Sequence, residues 1–379
     1  MHDARDGRAA TASRCYVLRV TTASAPTATE STVWISWLRA IAIVGVVTIH
    51  SVAPNAAAED ARSTTVGTLA VWLDIGAVCA VPLFVMLSGS VLLDPRRYGS
   101  HSVFLRKRAA RLVPALVFWH LWYWALVSHQ DGTVLPWRDA LLETVTGELY
   151  TALYFFWIII GLALVTPLVI GFVSTSSRRA VLVAGAALAA IPALSLATIQ
   201  PREASVVLVE TAWTWWFGYL GVYLLGWGLR GVRLRGLALA AVSAATVALG
   251  ALGCWQWRNP EAPQWLQTIS PVSYYGAGTI LYTIGVFLVA QALIQPDGLL
   301  RVLARGLGAR LGTTLGGATL GVFGFHLTLV WLLPELGIGG DLPASEAVGP
   351  MLGRLAITLA VSFAVVLVLR RVPVVRSVL

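Results

Sequence analysis

From about residue 33 onward the chain alternates long apolar runs with short polar breaks that carry most of its arginines. Runs of about 18 to 25 residues, each long enough to cross a hydrocarbon core of ~30 Å, lie near 34–53, 67–93, 109–128, 150–173, 180–199, 206–229, 237–256, 274–294, 313–334 and 349–369. The pattern predicts an all-α polytopic membrane protein with about ten transmembrane helices. Residues 1–32 are rich in Ala, Thr, Ser and Arg and lack a continuous apolar stretch. They resemble neither a cleavable signal peptide nor a packed element. The expected organisation is a disordered cytoplasmic tail over 1–32, a transmembrane domain over 33–371 and a short cytoplasmic tail over 372–379.

Charge orients the spans, because Lys and Arg concentrate in cytoplasmic loops. With the N-terminus inside, only Arg62, Arg138, Arg202, Arg258 and Arg354 fall on the outer half, and the other 22 of the 27 basic residues lie inside. Both termini are therefore expected in the cytoplasm. Composition agrees with a membrane protein, since 57% of residues are hydrophobic and only 12% charged, too apolar for an ordinary soluble domain. The net charge of +9 invites a nucleic-acid reading. The arginines are spread over six loops with no aromatic-basic module, so topology explains them and no nucleic-acid partner is expected. Cys15, Cys79 and Cys254 have no CxxC spacing, and neither a disulfide framework nor a metal site is indicated.

Candidate chemistry sits where polar residues interrupt the spans. Arg39 and His50 lie eleven residues apart in the first span, which brings them to one helical face about 16 Å apart along the axis. Ionisable residues inside a membrane mark functional sites, although Arg39 alone would pass as a snorkelling anchor and His50 as a hydrogen-bonded packing residue. Arg108 and Arg111 occupy neighbouring rows of the next basic segment. Their forked guanidinium groups suit bidentate phosphate binding, against the simpler account of a juxtamembrane cluster that sets topology or touches anionic lipid. Ser88-Gly89 interrupts another apolar helix, and close helix packing accounts for it better than a nucleophile, which would call for an elbow such as GxSxG. Asp74 is a candidate to orient an imidazole as a carboxylate partner. Glu210 and His326 are candidate substrate contacts, while His120 reads as structural. The outer connection of about 21 residues between the third and fourth spans is a candidate acceptor-side surface.

With these residues assembled, the chain resembles the integral-membrane acyltransferase-3 family, whose members O-acylate sugars of surface polysaccharides and related glycoconjugates. The resemblance covers most of 33–371. It rests on Arg39 and His50, on Val85-Met86-Leu87-Ser88-Gly89, on Arg108 to Pro114, and more weakly on Phe155 to Leu162 with Pro167 and on Val322 to His326. Ser90 follows Ser-Gly where the family commonly has an aromatic residue, and Phe325 precedes the histidine where leucine or isoleucine is common.

The resemblance implies a membrane O-acyltransferase in the stand-alone form, without an appended hydrolase-like domain. It would move an acetyl or other short acyl group from cytoplasmic acyl-CoA to a hydroxyl of a sugar or glycoconjugate at the outer side of the cell (cytoplasmic) membrane. The implied roles are His50 as general base or acyl relay with Asp74 beside it, Arg39, Arg108 and Arg111 as the CoA-phosphate grip, and Ser88, His326 and Glu210 as substrate contacts. No tightly bound cofactor is expected; acetyl-CoA serves as co-substrate, and the expected partners are the acceptor, membrane lipid and proteins of envelope-polysaccharide biosynthesis. The competing class is a transporter or flippase for a lipid-linked or anionic substrate, since buried Arg, Asp and His also line permeation paths. Against it, the sequence shows no paired Gly/Pro-broken helices and no internal two-fold repetition. A non-catalytic scaffold of an envelope-polysaccharide complex is the remaining alternative, and it does not require Arg39 and His50 to share a face.

Overall fold

The computed structural model describes residues 32–59, 61–130, 132–199, 211–338 and 348–379, and these are helical with no strand among them. The N-terminal tail and Glu210 fall outside the described residues. Seven helical segments are long and apolar enough to cross a membrane. They are α1 (Val33–Ala56), the broken pair α2 (Thr65–Gly76) and α3 (Ala80–Leu92), α4 (His101–Gln130), α6 (Tyr154–Thr175), α7 (Arg178–Ile199), α10 (Gly236–Arg258) and α16 (Val348–Leu369). An eighth arises if α14 (Gly306–Gly317) and α15 (Thr319–Glu335), bent by 61° at Ala318, are one span. Two shorter apolar helices, α9 (Leu220–Leu229) and α12 (Ala277–Leu293), stand at the remaining positions of the apolar pattern. The minor helices are α5 (Trp137–Thr146), α8 (Trp215–Gly218), α11 (Gln264–Ile269) and α13 (Arg301–Ala304).

α1 is the hub of the bundle, packing against α2, α3, α12, α14, α15 and α16. Its residues Trp34, Leu38, Ile43 and Val47 are almost fully buried, which fits a span enclosed by protein rather than lipid. The broken helices correct the expectation from sequence. The α2/α3 break is supported by Tyr282 of α12, whose hydroxyl donates to the Gly76 carbonyl at 2.9 Å, satisfying a backbone group that hydrocarbon could not. Gly45 of α1 lies at this break, where a Cβ would be 3.2 Å from Ala80. The α14/α15 bend lets α14 lie close to α1: a Cβ on Gly316 would come within 2.4 Å of the Ser36 carbonyl oxygen, and one on Gly312 within 2.5 Å of Trp37. Apolar periodicity did not place either break, because each lies within three residues between two helices that continue the same run.

Close glycine contacts also seat α3 on α9. A Cβ on Gly89 would lie 1.8 Å from the Tyr223 carbonyl oxygen, and one on Gly226 would lie 1.9 Å from that of Met86. Both obstacles are backbone, so added bulk must separate the helices. Gly89→Ala is expected to cost about 1–3 kcal/mol or more through overpacking, read as a lowered unfolding temperature in detergent. Gly99→Ala, with open space around it, is the control and should unfold with the wild type.

The connection between α4 and α6 is not a bare loop. It holds α5, a ten-residue amphipathic helix on which Trp137, Leu141 and Leu142 are exposed. Such a face suits the water–lipid boundary. α5 ends at Gly147 (φ 77°), where a side chain would collide with the Trp215 ring.

Candidate active site

The sequence pattern singles out one face of α1, and the structure gives each end of that face a distinct set of neighbours. At its C-terminal end the His50 ring meets the ring of His326 from α15, with centroids 5.4 Å apart. His326 is fully buried. Its Nδ1 lies 2.7 Å from the Phe323 carbonyl and 3.1 Å from that of Val322. Both partners are acceptors, so Nδ1 carries the hydrogen, and Nε2 of the neutral ring keeps its lone pair. That Nε2 is buried without a partner. A base with an unspent lone pair therefore stands beside His50.

Beneath the pair the walls are aromatic. Phe323 lies 6.0 Å from His326 and packs against Phe155 and Phe156 of α6 at 5.1 and 5.4 Å between ring centroids.

At the N-terminal end of the face Arg39 is within electrostatic reach of Arg111 and Arg108 from α4. Arg370, just past α16, joins them. Burial and then the like charges of Arg111 and Arg376 push its guanidinium below the ordinary arginine pKa, and its Nη1 lies 3.2 Å from where a Cβ on Gly317 would stand. None of Arg39, Arg108, Arg111 and Arg370 forms an ion pair with a carboxylate among the described residues. Arg108 stacks over Phe104 at 5.8 Å, and its Nε is buried and without a partner. Clustered guanidinium groups without counter-charge repel one another, and a bound polyanion would relieve the repulsion. By contrast, Asp94 and Asp297 neutralise other arginines of the connections: Arg97 and Arg230, and Arg233 and Arg235.

The expected pairing of Asp74 with the imidazole is not seen among the described residues. Asp74 is within electrostatic reach of Cys254 and Tyr274, and no hydrogen bond or ion pair joins it to His50 among the described residues. The neighbour brought to His50 is a second imidazole, supplied by a helix 276 residues further along the chain. Ser88 donates to the Phe84 carbonyl of its own helix at 2.9 Å, so its hydroxyl is spent in the way common for serine inside a helix. His120 bonds the Leu116 carbonyl through Nδ1 at 2.7 Å, in keeping with a structural part.

Sequence reasoning did not single out Arg354, Arg370, Thr358 or Ser362. Arg354 of α16 is buried and donates to the Ser51 carbonyl at 2.7 Å and to Asn55 Oδ1 at 2.8 Å. It clamps α1 one residue beyond His50. The signal is in the sequence, since Arg354 interrupts an apolar run just as Arg39 does, although by charge topology alone it is only an outer-half arginine.

The geometry defines a multi-pass membrane protein with an imidazole pair, half-buried His50 against buried His326, at one end of an intramembrane helix and an uncompensated cationic cluster at the other. A family model of the acyltransferase-3 type, described as an acyltransferase domain, matches residues 32–371. The chain belongs to that family and is an acyltransferase of it. No curated protein and no solved structure matches.

Proposed function

We propose that the protein transfers an acetyl or other short acyl group from acyl-CoA to a hydroxyl of a sugar or glycoconjugate on the opposite side of the cell membrane, with both termini on the donor side. The observation that carries this reading is the pairing of two sites on one α1 face. The arginine cluster without carboxylates lies about 16 Å along the axis from the His50–His326 pair. A CoA thioester has the matching division, a polyanionic nucleotide separated from its reactive carbonyl by a slender arm.

In this reading Arg39, Arg108, Arg111 and Arg370 hold the nucleotide phosphates through charge-assisted hydrogen bonds. The acceptor oxygen bonds to the thioester carbonyl carbon as His50 takes its proton. The tetrahedral intermediate then collapses, the C–S bond breaks, and CoA leaves as a thiolate that is reprotonated. His326, its tautomer fixed by the two carbonyls, orients the hydroxyl or the His50 ring. Asp74 has no part in this step, and Ser88 keeps its hydroxyl on the Phe84 carbonyl of its own helix. For Glu210, outside the described residues, a contact with the acceptor is kept as part of the proposal.

The two broken spans, α2/α3 and α14/α15, are features that transporters share, so they weaken the argument drawn from sequence against transport. Family membership supports transfer instead. Purified protein incubated with radiolabelled acetyl-CoA and a glycan fraction from the cell envelope should release CoA and label the glycan. If acetyl-CoA stays intact with every glycan fraction, this reading of donor and reaction fails. An acyl group trapped on His50 in the absence of acceptor would make that residue a covalent relay rather than a base.

A further inference from the structure

α16 runs antiparallel to α1 along the whole distance between the two sites. Arg354 bonds Ser51 and Asn55 at one end. At the other, Arg370 lies on Gly317, whose neighbour Gly316 touches the Ser36 backbone. At 1.5 Å per residue this register sets Thr358 and Ser362 about level with Thr48 and Val44, between the arginine cluster and the histidine pair. Their direction follows from the same helix. Arg354 faces α1, whereas Val366 meets α15 at Gly321, where a Cβ would be 2.7 Å from Val366 Cγ1. Positions four apart rotate by about 40°, so Thr358 and Ser362 face the seam between α1 and α15 across which His50 and His326 meet.

Both side chains are fully buried, and the hydroxyl oxygens have no hydrogen-bond partner. This is not how hydroxyls in these helices usually behave. Thr48, Thr166, Thr246 and Thr283 each donate to the carbonyl four residues back at 2.6–2.8 Å. Leaving a buried hydroxyl unmade costs about 1–3 kcal/mol, and two such groups one turn apart on one seam point to a ligand with two polar groups at a similar spacing. We propose that Thr358 and Ser362 hydrogen-bond the two amides of the pantetheine arm of a CoA thioester. Thr358, nearer the histidines, takes the amide next to the thioester, and Ser362 takes the amide nearer the nucleotide. The assignment rests on the acyl-CoA reading of the donor.

The test compares two ligands on the purified full-length protein: CoA, and adenosine 3′,5′-bisphosphate, which lacks the arm. Thr358→Val and Ser362→Ala should each weaken CoA about 5- to 10-fold, the value of one ordinary hydrogen bond, and leave the bisphosphate unchanged. Thr358→Ser should keep wild-type affinity for CoA. An unchanged bisphosphate affinity also shows that the fold and the cationic site survive. Equal weakening of both ligands, or of neither, overturns the proposal while the donor reading stands. If the wild type binds neither ligand, the donor reading fails and this inference falls with it.

Discussion

His50→Ala is expected to lose acyl transfer, with the rate falling by at least the ~10²–10⁴ that general-base help supplies, while membrane insertion and CoA affinity remain. The substitution removes the imidazole that faces His326 but touches neither the arginine cluster nor the Arg354 clamp, which holds α1 through the Ser51 carbonyl and Asn55. The defect should therefore appear in turnover rather than in donor binding. Steady-state transfer measured beside CoA binding on the same preparation separates the two. A His50→Ala protein that transfers at near wild-type rate would remove His50 from the chemistry.

Arg108→Ala and Arg111→Ala should show the opposite defect. A hydrogen bond to a charged group contributes about 1.5–3 kcal/mol, so each loss should weaken CoA roughly tenfold to a hundredfold, with the double variant weaker still. Because Arg39, Arg111 and Arg108 act on one another as like charges, removing one also relieves repulsion among the rest. The combined loss should therefore fall short of the product of the single losses. Raising the salt concentration should reduce wild-type affinity more than that of the double variant. Unchanged CoA affinity in both single variants and the double would return the cluster to its topological role.

Much of this arrangement can be read before any coordinates are drawn. Arg39 and His50 declare themselves because charge inside an apolar run is costly, and their common face follows from helical geometry alone. Arg108 and Arg111 emerge from local spacing in the same way. What sequence withholds is which helices are neighbours. By chemistry Asp74 suits an imidazole, yet it lies within electrostatic reach of Cys254 and Tyr274 instead, and His326 reaches His50 from far along the chain. The broken spans were hidden for a related reason. Tyr282, capping Gly76, is a contact between distant segments, and hydropathy averages over the break. Thr358 and Ser362 read as ordinary polar residues in an apolar helix until their unmade hydrogen bonds and their seam are known.

The most direct test of the two-ended site uses bromoacetyl-CoA, whose bromine-bearing carbon lies beside the thioester carbonyl. An imidazole nitrogen placed at that carbonyl displaces bromide and becomes alkylated, and peptide mass spectrometry locates the adduct. The two-ended site predicts labelling at His50 or His326, blocked by excess CoA and much reduced in the Arg108→Ala/Arg111→Ala protein. Labelling confined to other residues, or histidine labelling indifferent to CoA and to the arginines, would contradict it.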